Sequence, residues 1–123
     1  MSGTDKRKLL VVGKEIRPRC FKGLRLESLP VTYHANNNAW MTADIFKQWL
    51  MDWDLQLQQL DASRKILLLV NKCASHPNMN ELKSIQLEFL PHKMSGLFSP
   101  MNMGIIQNLK LLYRQTLLNH ILE

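Results

Sequence analysis

Hydrophobic residues in this chain alternate between compact runs and helically spaced stripes. Leu9-Leu10-Val11-Val12 is a short, partly β-branched apolar run closed by Gly13, the pattern of a buried strand. Ile66-Leu67-Leu68-Leu69-Val70 is the longest such run, bounded by Arg64-Lys65 and Asn71-Lys72. Five consecutive apolar residues predict a central parallel strand buried on both faces. Ile85 to Leu90 instead mostly alternates before Pro91, which predicts a half-buried strand. Ile45, Phe46, Trp49, Leu50, Trp53, Leu57 and Leu60 recur at helical spacing and define one broad apolar face. Thr42 is placed to cap that helix, and Asp44 suits its first turn. Trp49 and Trp53 share the stripe, so they read as core rather than as a ligand platform. A last helix follows Pro100 to Gly104, with Ile105, Ile106, Leu109, Leu112, Tyr113, Leu117 and Ile121 on its apolar face. Lys110 and Arg114 form an i,i+4 basic pair on it.

The remaining segments are polar or irregular. Residues 14–30 have no sustained period and read as a surface excursion. Val31 to His34 suits a brief edge strand, and Asn36-Asn37-Asn38 a turn, because Asn side chains satisfy backbone groups locally. The order is therefore an α/β alternation without internal repeat. At 123 residues, 46% hydrophobic and 21% charged, it fits one domain with a real core.

Charge changes this picture at one place. The formal charge of +6 is concentrated in residues 6–25, where Lys6, Arg7, Lys8, Lys14, Arg17, Arg19, Lys22 and Arg25 face the single acid Glu15. A concentrated basic surface favours a polyanion through phosphate neutralisation, although it also solubilises any surface segment. Cys20 and Cys73 could pair, but nothing requires it, and two cysteines argue against a disulfide-built secreted scaffold. Met1 to Lys8 is polar without a signal-peptide-length apolar stretch, and no apolar run approaches the roughly 20 residues that span a bilayer. The expectation is cytosol or nucleus and no membrane partner, with Lys6-Arg7-Lys8 too short to establish nuclear import alone.

Ligands of parallel α/β sheets collect at strand ends. Here the central strand delivers Asn71, Lys72, Cys73, Ala74, Ser75 and His76, and the entry to the last helix delivers Asn102. A two-metal phosphoryl-transfer site needs several carboxylates to neutralise and orient hard divalent ions, whereas both positions offer neutral carboxamides. Cys73 and His76 have C-x-x-H spacing without a second ligand pair for zinc, and Cys73 has no evident oriented base.

These residues carry a resemblance. LLLVNKCASH at Leu67–His76 is similar to the LLLVDNCPAH block of DDE-superfamily endonucleases of the pogo, Tigger and jerky type. Gly13-Lys14 and Pro18-Arg19-Cys20-Phe21-Lys22 resemble that family's GK…PRCFK segment. Leu29-Pro30-Val31, Tyr33-His34-Ala35-Asn36 and Ala39-Trp40-Met41-Thr42 resemble its LPV.Y.AN…AWMT segment. Phe89-Leu90-Pro91 and PMNMGII at Pro100–Ile106 resemble FLPP and PLDQGVI. The resemblance covers about residues 9–118 and implies an RNase H-like core whose acidic triad binds divalent metals for DNA cleavage and joining. The second acid falls on Asn71 and the third on Asn102, and the first belongs to a strand preceding the matched part.

The resulting expectation is an α/β, incomplete RNase H-like core with a mixed sheet and flanking helices over residues 9–123, behind a basic polar tail at 1–8. It would be catalytically inactive, hold no metal or other cofactor, and touch DNA weakly and largely non-specifically through Lys14, Arg17, Arg19, Lys22 and Arg25 in the nucleus. With no helix-turn-helix segment ahead of the core, sequence-specific recognition is not expected. Without the family's central first strand, edges beside 66–70 would be exposed, favouring self-association or a partner protein. The competing readings are a protein-interaction module, a decayed relic, and an active nuclease using Asn71, Asn102 and an acid such as Asp61 or Glu88.

Overall fold

The chain is described by a computed structural model over residues 3–91 and 99–123. Strands β1 (Leu9–Gly13) and β2 (Val31–Ala35) pair in parallel, with Leu9 opposite Val31 and Gly13 opposite Ala35. Strands β3 (Ile66–Asn71) and β4 (Ile85–Leu90) form a second parallel pair, from Ile66 opposite Ile85 to Asn71 opposite Leu90. The two pairs are separate sheets, which corrects the expected single mixed sheet among the described residues. The links at 14–30 and 72–84 explain the parallel sense, since such lengths suit crossovers rather than hairpins.

Helix α1 (Ala43–Leu60) forms where the apolar stripe and Thr42 predict it. The Thr42 Oγ1 accepts the Ile45 N–H at 3.3 Å, satisfying one of the open donors of the first turn. Its buried face presents Phe46, Leu50 and Leu57 to Ile85. Ile66, Leu68, Val70 and Leu87 from the two strands pack around them, with Trp49 and Trp53 at the margin. This is the core, and it uses one face of the β3–β4 pair. On the other face Leu67 is 59% and Leu69 54% exposed, so β3 is half-buried rather than covered on both sides. An apolar run states that burial is favourable but does not provide the layer that buries it. Strand β1 departs from expectation in the same way, since Leu9 and Val11 are exposed.

Asp54 belongs to the buried face of α1 although it is a carboxylate. It is only 5% exposed. Its Oδ1 accepts the N–H groups of Ser84 (2.7 Å) and Ile85 (2.9 Å), and its Oδ2 accepts the Lys83 N–H (3.0 Å) and the Gln58 side-chain amide (2.7 Å). One helix side chain thereby fixes where β4 begins and sets its register against β3.

The N-terminal residues lie along the fold. The Arg7 guanidinium sits 4.6 Å from the centre of the Trp53 ring and donates to Gln56 Oε1 at 3.3 Å, a cation–π arrangement. Lys8 Nζ donates to the Leu29 carbonyl at 2.7 Å, and Asp5 pairs with Arg64. At the other end, a π-helical turn (Met101–Ile105) bends at Met103 and Gly104, the latter at φ 131°, where glycine is favoured. Helix α2 (Ile106–Leu122) follows, and all of its residues stay outside the core. Its predicted apolar face exists as a period, with Leu109, Leu112, Tyr113, Leu117 and Ile121 exposed.

Candidate functional site

The β3 strand ends at Asn71 and turns at once. His76 N–H donates to the Cys73 carbonyl at 3.0 Å, and His76 Nδ1 lies 2.8 Å from the Asn71 carbonyl. The imidazole also stacks on Phe46 with ring centroids 4.5 Å apart, and Ser75 Oγ donates to the Met41 carbonyl at 3.1 Å. His76 is thus a hydrogen-bonding and packing residue that ties the turn to α1. Cys20 and Cys73 are both free and exposed. The Asn71 Oδ1 is buried without a hydrogen-bond partner among the described residues. Asn102 is exposed in the π turn ahead of α2, and its N–H donates to the Ser99 carbonyl at 3.0 Å.

These positions do not fit a divalent-metal pair. Carboxamides at Asn71 and Asn102 offer oxygen without charge, and hard divalent ions need carboxylates for neutralisation. Among the described residues no three His, Cys, Asp or Glu side chains gather within reach of one ion. The two substitute acids stand apart with local partners. Asp61 accepts the Ser63 N–H (2.9 Å) and hydroxyl (2.6 Å), and the Ser63 hydroxyl above all holds its carboxyl below the ordinary value. Glu88 points from the exposed face of β4 and accepts from Gln86 Nε2 at 2.9 Å.

The basic residues are brought together instead. The 14–30 excursion is shaped by two short 3-10 turns, Arg19–Phe21 and Leu26–Ser28. Phe21 packs edge-on against Tyr33 of β2 with centroids 5.1 Å apart, and the Tyr33 hydroxyl donates to the Glu15 carbonyl at 2.6 Å. Gly13 leaves room for this ring, since a Cβ there would meet the Tyr33 Cζ at 2.9 Å. Leu29 is buried at the far end. Held at these points, the excursion encloses an open concavity of about 610 Å³ to which Arg17, Arg19, Lys22 and Arg25 all contribute. A second concavity of about 640 Å³ takes Arg17 and Lys14 into its wall. All five cations are exposed, and among the described residues none of them forms an ion pair.

The DDE superfamily endonuclease model matches residues 1–123. This chain belongs to that family. It is 45% identical to Tigger transposable element-derived protein 4 of Mus musculus, over 100% of the chain and 23% of that protein. It is 34% identical to the Jerky protein homolog of Homo sapiens, over 85% of the chain and 20% of that protein. It is 28% identical to ARS-binding protein 1 of Schizosaccharomyces pombe, over 99% of the chain and 24% of that protein. The chain thus spans under a quarter of the length of these relatives. No solved structure matches it significantly. The family is of the pogo and Tigger type that the LLLVNKCASH block and its companions indicated. The described architecture is α/β with two small sheets and two helices, consistent with part of a DDE domain. Among the described residues no helix is long and apolar enough to cross a membrane.

One exposed residue of this surface has no place in the apolar periods. Trp40 stands five residues ahead of the first member of the α1 stripe, Ile45. That isolation is the signal by which it could have been singled out from the chain alone.

Proposed function

We propose that this chain is a catalytically inactive, transposase-derived domain that contacts DNA weakly and largely without sequence preference, in the nucleus where such a partner resides. The observation that carries the reading is the convergence of five cations, Lys14, Arg17, Arg19, Lys22 and Arg25, none in an ion pair among the described residues, on two adjoining concavities. Phosphates are the ligands such a surface suits, and their neutralisation needs no base-specific geometry. Inactivity rests on Asn71 and Asn102 at the positions of two family acids. Kinship with ARS-binding protein 1 of Schizosaccharomyces pombe supports a DNA partner.

The test pairs two measurements on the full chain. Duplex DNA binding is expected to be saturable, to tolerate sequence change and to weaken steeply with salt. Supercoiled plasmid incubated with the chain and magnesium or manganese is expected to stay intact. Metal-dependent nicking that disappears in Asn71→Ala would overturn the assignment of inactivity, and salt-independent or absent binding would overturn the DNA contact.

A protein-interaction role is favoured by a different observation. The open face of β3 carries Leu67 and Leu69, and apolar sheet faces of this kind are normally covered in α/β proteins. Self-association through this face and the free strand edges predicts a sedimentation coefficient that rises with concentration and falls in Leu67→Lys/Leu69→Lys. A single concentration-independent monomer peak, with 66–70 strongly protected from hydrogen exchange, would defeat it.

A further inference from the structure

Trp40 lies in the link between β2 and α1 and is 75% exposed, an unfavourable position for the largest side chain unless something covers it. Its backbone is nonetheless tightly held. The Asn36 carboxamide accepts the Trp40 N–H at 3.2 Å and the Asn38 N–H at 3.1 Å, while its Nδ2 donates to the Trp40 carbonyl at 2.6 Å. Ala39 adopts a left-handed φ of 53° to close this loop, a conformation a residue with a Cβ takes at some cost. The Asn36 N–H donates to the Gly13 carbonyl at 3.0 Å, which sets Lys14 beside the loop. Trp40, Lys14, Asn37 and Asn38 together line a concavity of about 320 Å³. It adjoins the larger basic concavity through the shared residues Lys14 and Asn37.

We infer that this concavity is a subsite for an unpaired nucleotide, with the base stacked on the Trp40 indole and its phosphate at Lys14. Each part matches the chemistry of such a ligand. An exposed aromatic face stacks any base, the ammonium neutralises a phosphate, and the Asn37 and Asn38 carboxamides offer donors and acceptors to base edges. A paired base inside a duplex cannot present its face to an indole, so the subsite selects single-stranded or frayed segments. The inference rests on the DNA-contact reading and refines it. The basic concavities would hold a strand by its phosphates, and Trp40 would add a preference for strands whose bases are free.

The experiment measures binding of fluorescein-labelled oligo(dT), oligo(U) and a duplex of equal length to the full chain, Trp40→Ala and Trp40→Phe. The alanine variant is expected to lose roughly five- to a hundredfold in affinity for the single strands, the range that one base–aromatic stack supports. Its duplex affinity should be unchanged, and Trp40→Phe should recover most of the loss. Oligo(U) bound as well as oligo(dT) supports a subsite for either sugar, and oligo(dT) alone one that admits only DNA. Indole fluorescence should be quenched by oligo(dT) in the parent and not in Trp40→Phe, since Trp49 and Trp53 pack at the core. Equal losses on duplex and single strand would show Trp40 only holding its loop and overturn the inference, as would no loss on either. In both cases intact salt-dependent duplex binding leaves the DNA-contact reading standing, whereas no binding by the parent chain defeats both.

Discussion

Replacing Asp54 with alanine is expected to destabilise the fold by about 3–5 kcal/mol, the combined scale of several buried donors left unsatisfied at once. The substitution removes few contacts, yet it leaves the Ser84 and Ile85 N–H groups buried and the Lys83 N–H partly buried, all without their acceptor. An orphaned buried donor costs about 1–3 kcal/mol, and the methyl group of alanine supplies no substitute. These donors start β4, so the loss falls on the pairing of β4 with β3 and on Ile85 in the core. Asp54→Asn should cost less, because one oxygen can still serve Ser84 and Ile85 while the new NH2 opposes the Lys83 and Gln58 donors. Urea unfolding followed by circular dichroism measures both, and an alanine variant within about 1 kcal/mol of the parent, less than one orphaned donor should cost, would rule out Asp54 as the residue that holds the start of β4.

The same residue gives stability a pH signature. Burial acts to push the Asp54 carboxyl up, but the Lys83, Ser84 and Ile85 N–H groups and the Gln58 amide outweigh it, and the carboxyl stays below its ordinary value. The folded state therefore binds this proton less readily than the unfolded chain. The contribution is fully present above the unfolded carboxylate value of about 3.9 and is lost as pH falls through the lower folded value. In Asp54→Asn this part of the acid limb should flatten.

What the chain made legible and what it hid have one physical origin. Local signals were sufficient for α1, where Thr42 caps a stripe of seven apolar residues, and for the turn at Asn36, whose carboxamide binds the backbone ahead of it. Residues 66–71 and 85–90 form strands within a residue of expectation. Burial was less legible, because it depends on which layer arrives from elsewhere. Leu67 and Leu69 are as apolar as Leu68, and only the position of α1 decides that Leu68 faces the core. Asp54 was the most informative miss. It falls between Leu50 and Leu57 on one helical face, and a carboxylate inside an apolar stripe is a sign of donors waiting opposite. Trp40 is the mirror case, an aromatic residue outside every stripe. Asn71 and Asn102 were legible only as positions, at the end of a strand and the entry to a helix, since nothing in a carboxamide itself marks a site.

Neutralising Arg17, Arg19, Lys22 and Arg25 together is expected to weaken duplex DNA binding by roughly 10- to 1000-fold near 100 mM salt. It should also reduce the slope of log K against log salt by about 3 to 4, as four lost phosphate contacts require. All four side chains line one concavity with no competing ion pair among the described residues, so each is available to displace a condensed counterion. Glu27 at the rim of the same concavity and Glu15 in the neighbouring one reduce the field, which places the effect below the upper limit. Substitution by glutamine keeps the stems that shape the excursion, whose anchors are Phe21 on Tyr33 and buried Leu29, so folding should be preserved. A charge-matched control carries glutamine at Lys47, Lys72, Lys110 and Arg114, exposed residues outside this surface. If net charge alone governed binding, the two variants would weaken equally. A localised interface requires the control to keep its slope within about one of the parent, less than two phosphate contacts. Equal loss in both would disperse the interface over the whole basic surface, and no loss in either would remove Arg17, Arg19, Lys22 and Arg25 from any role in binding.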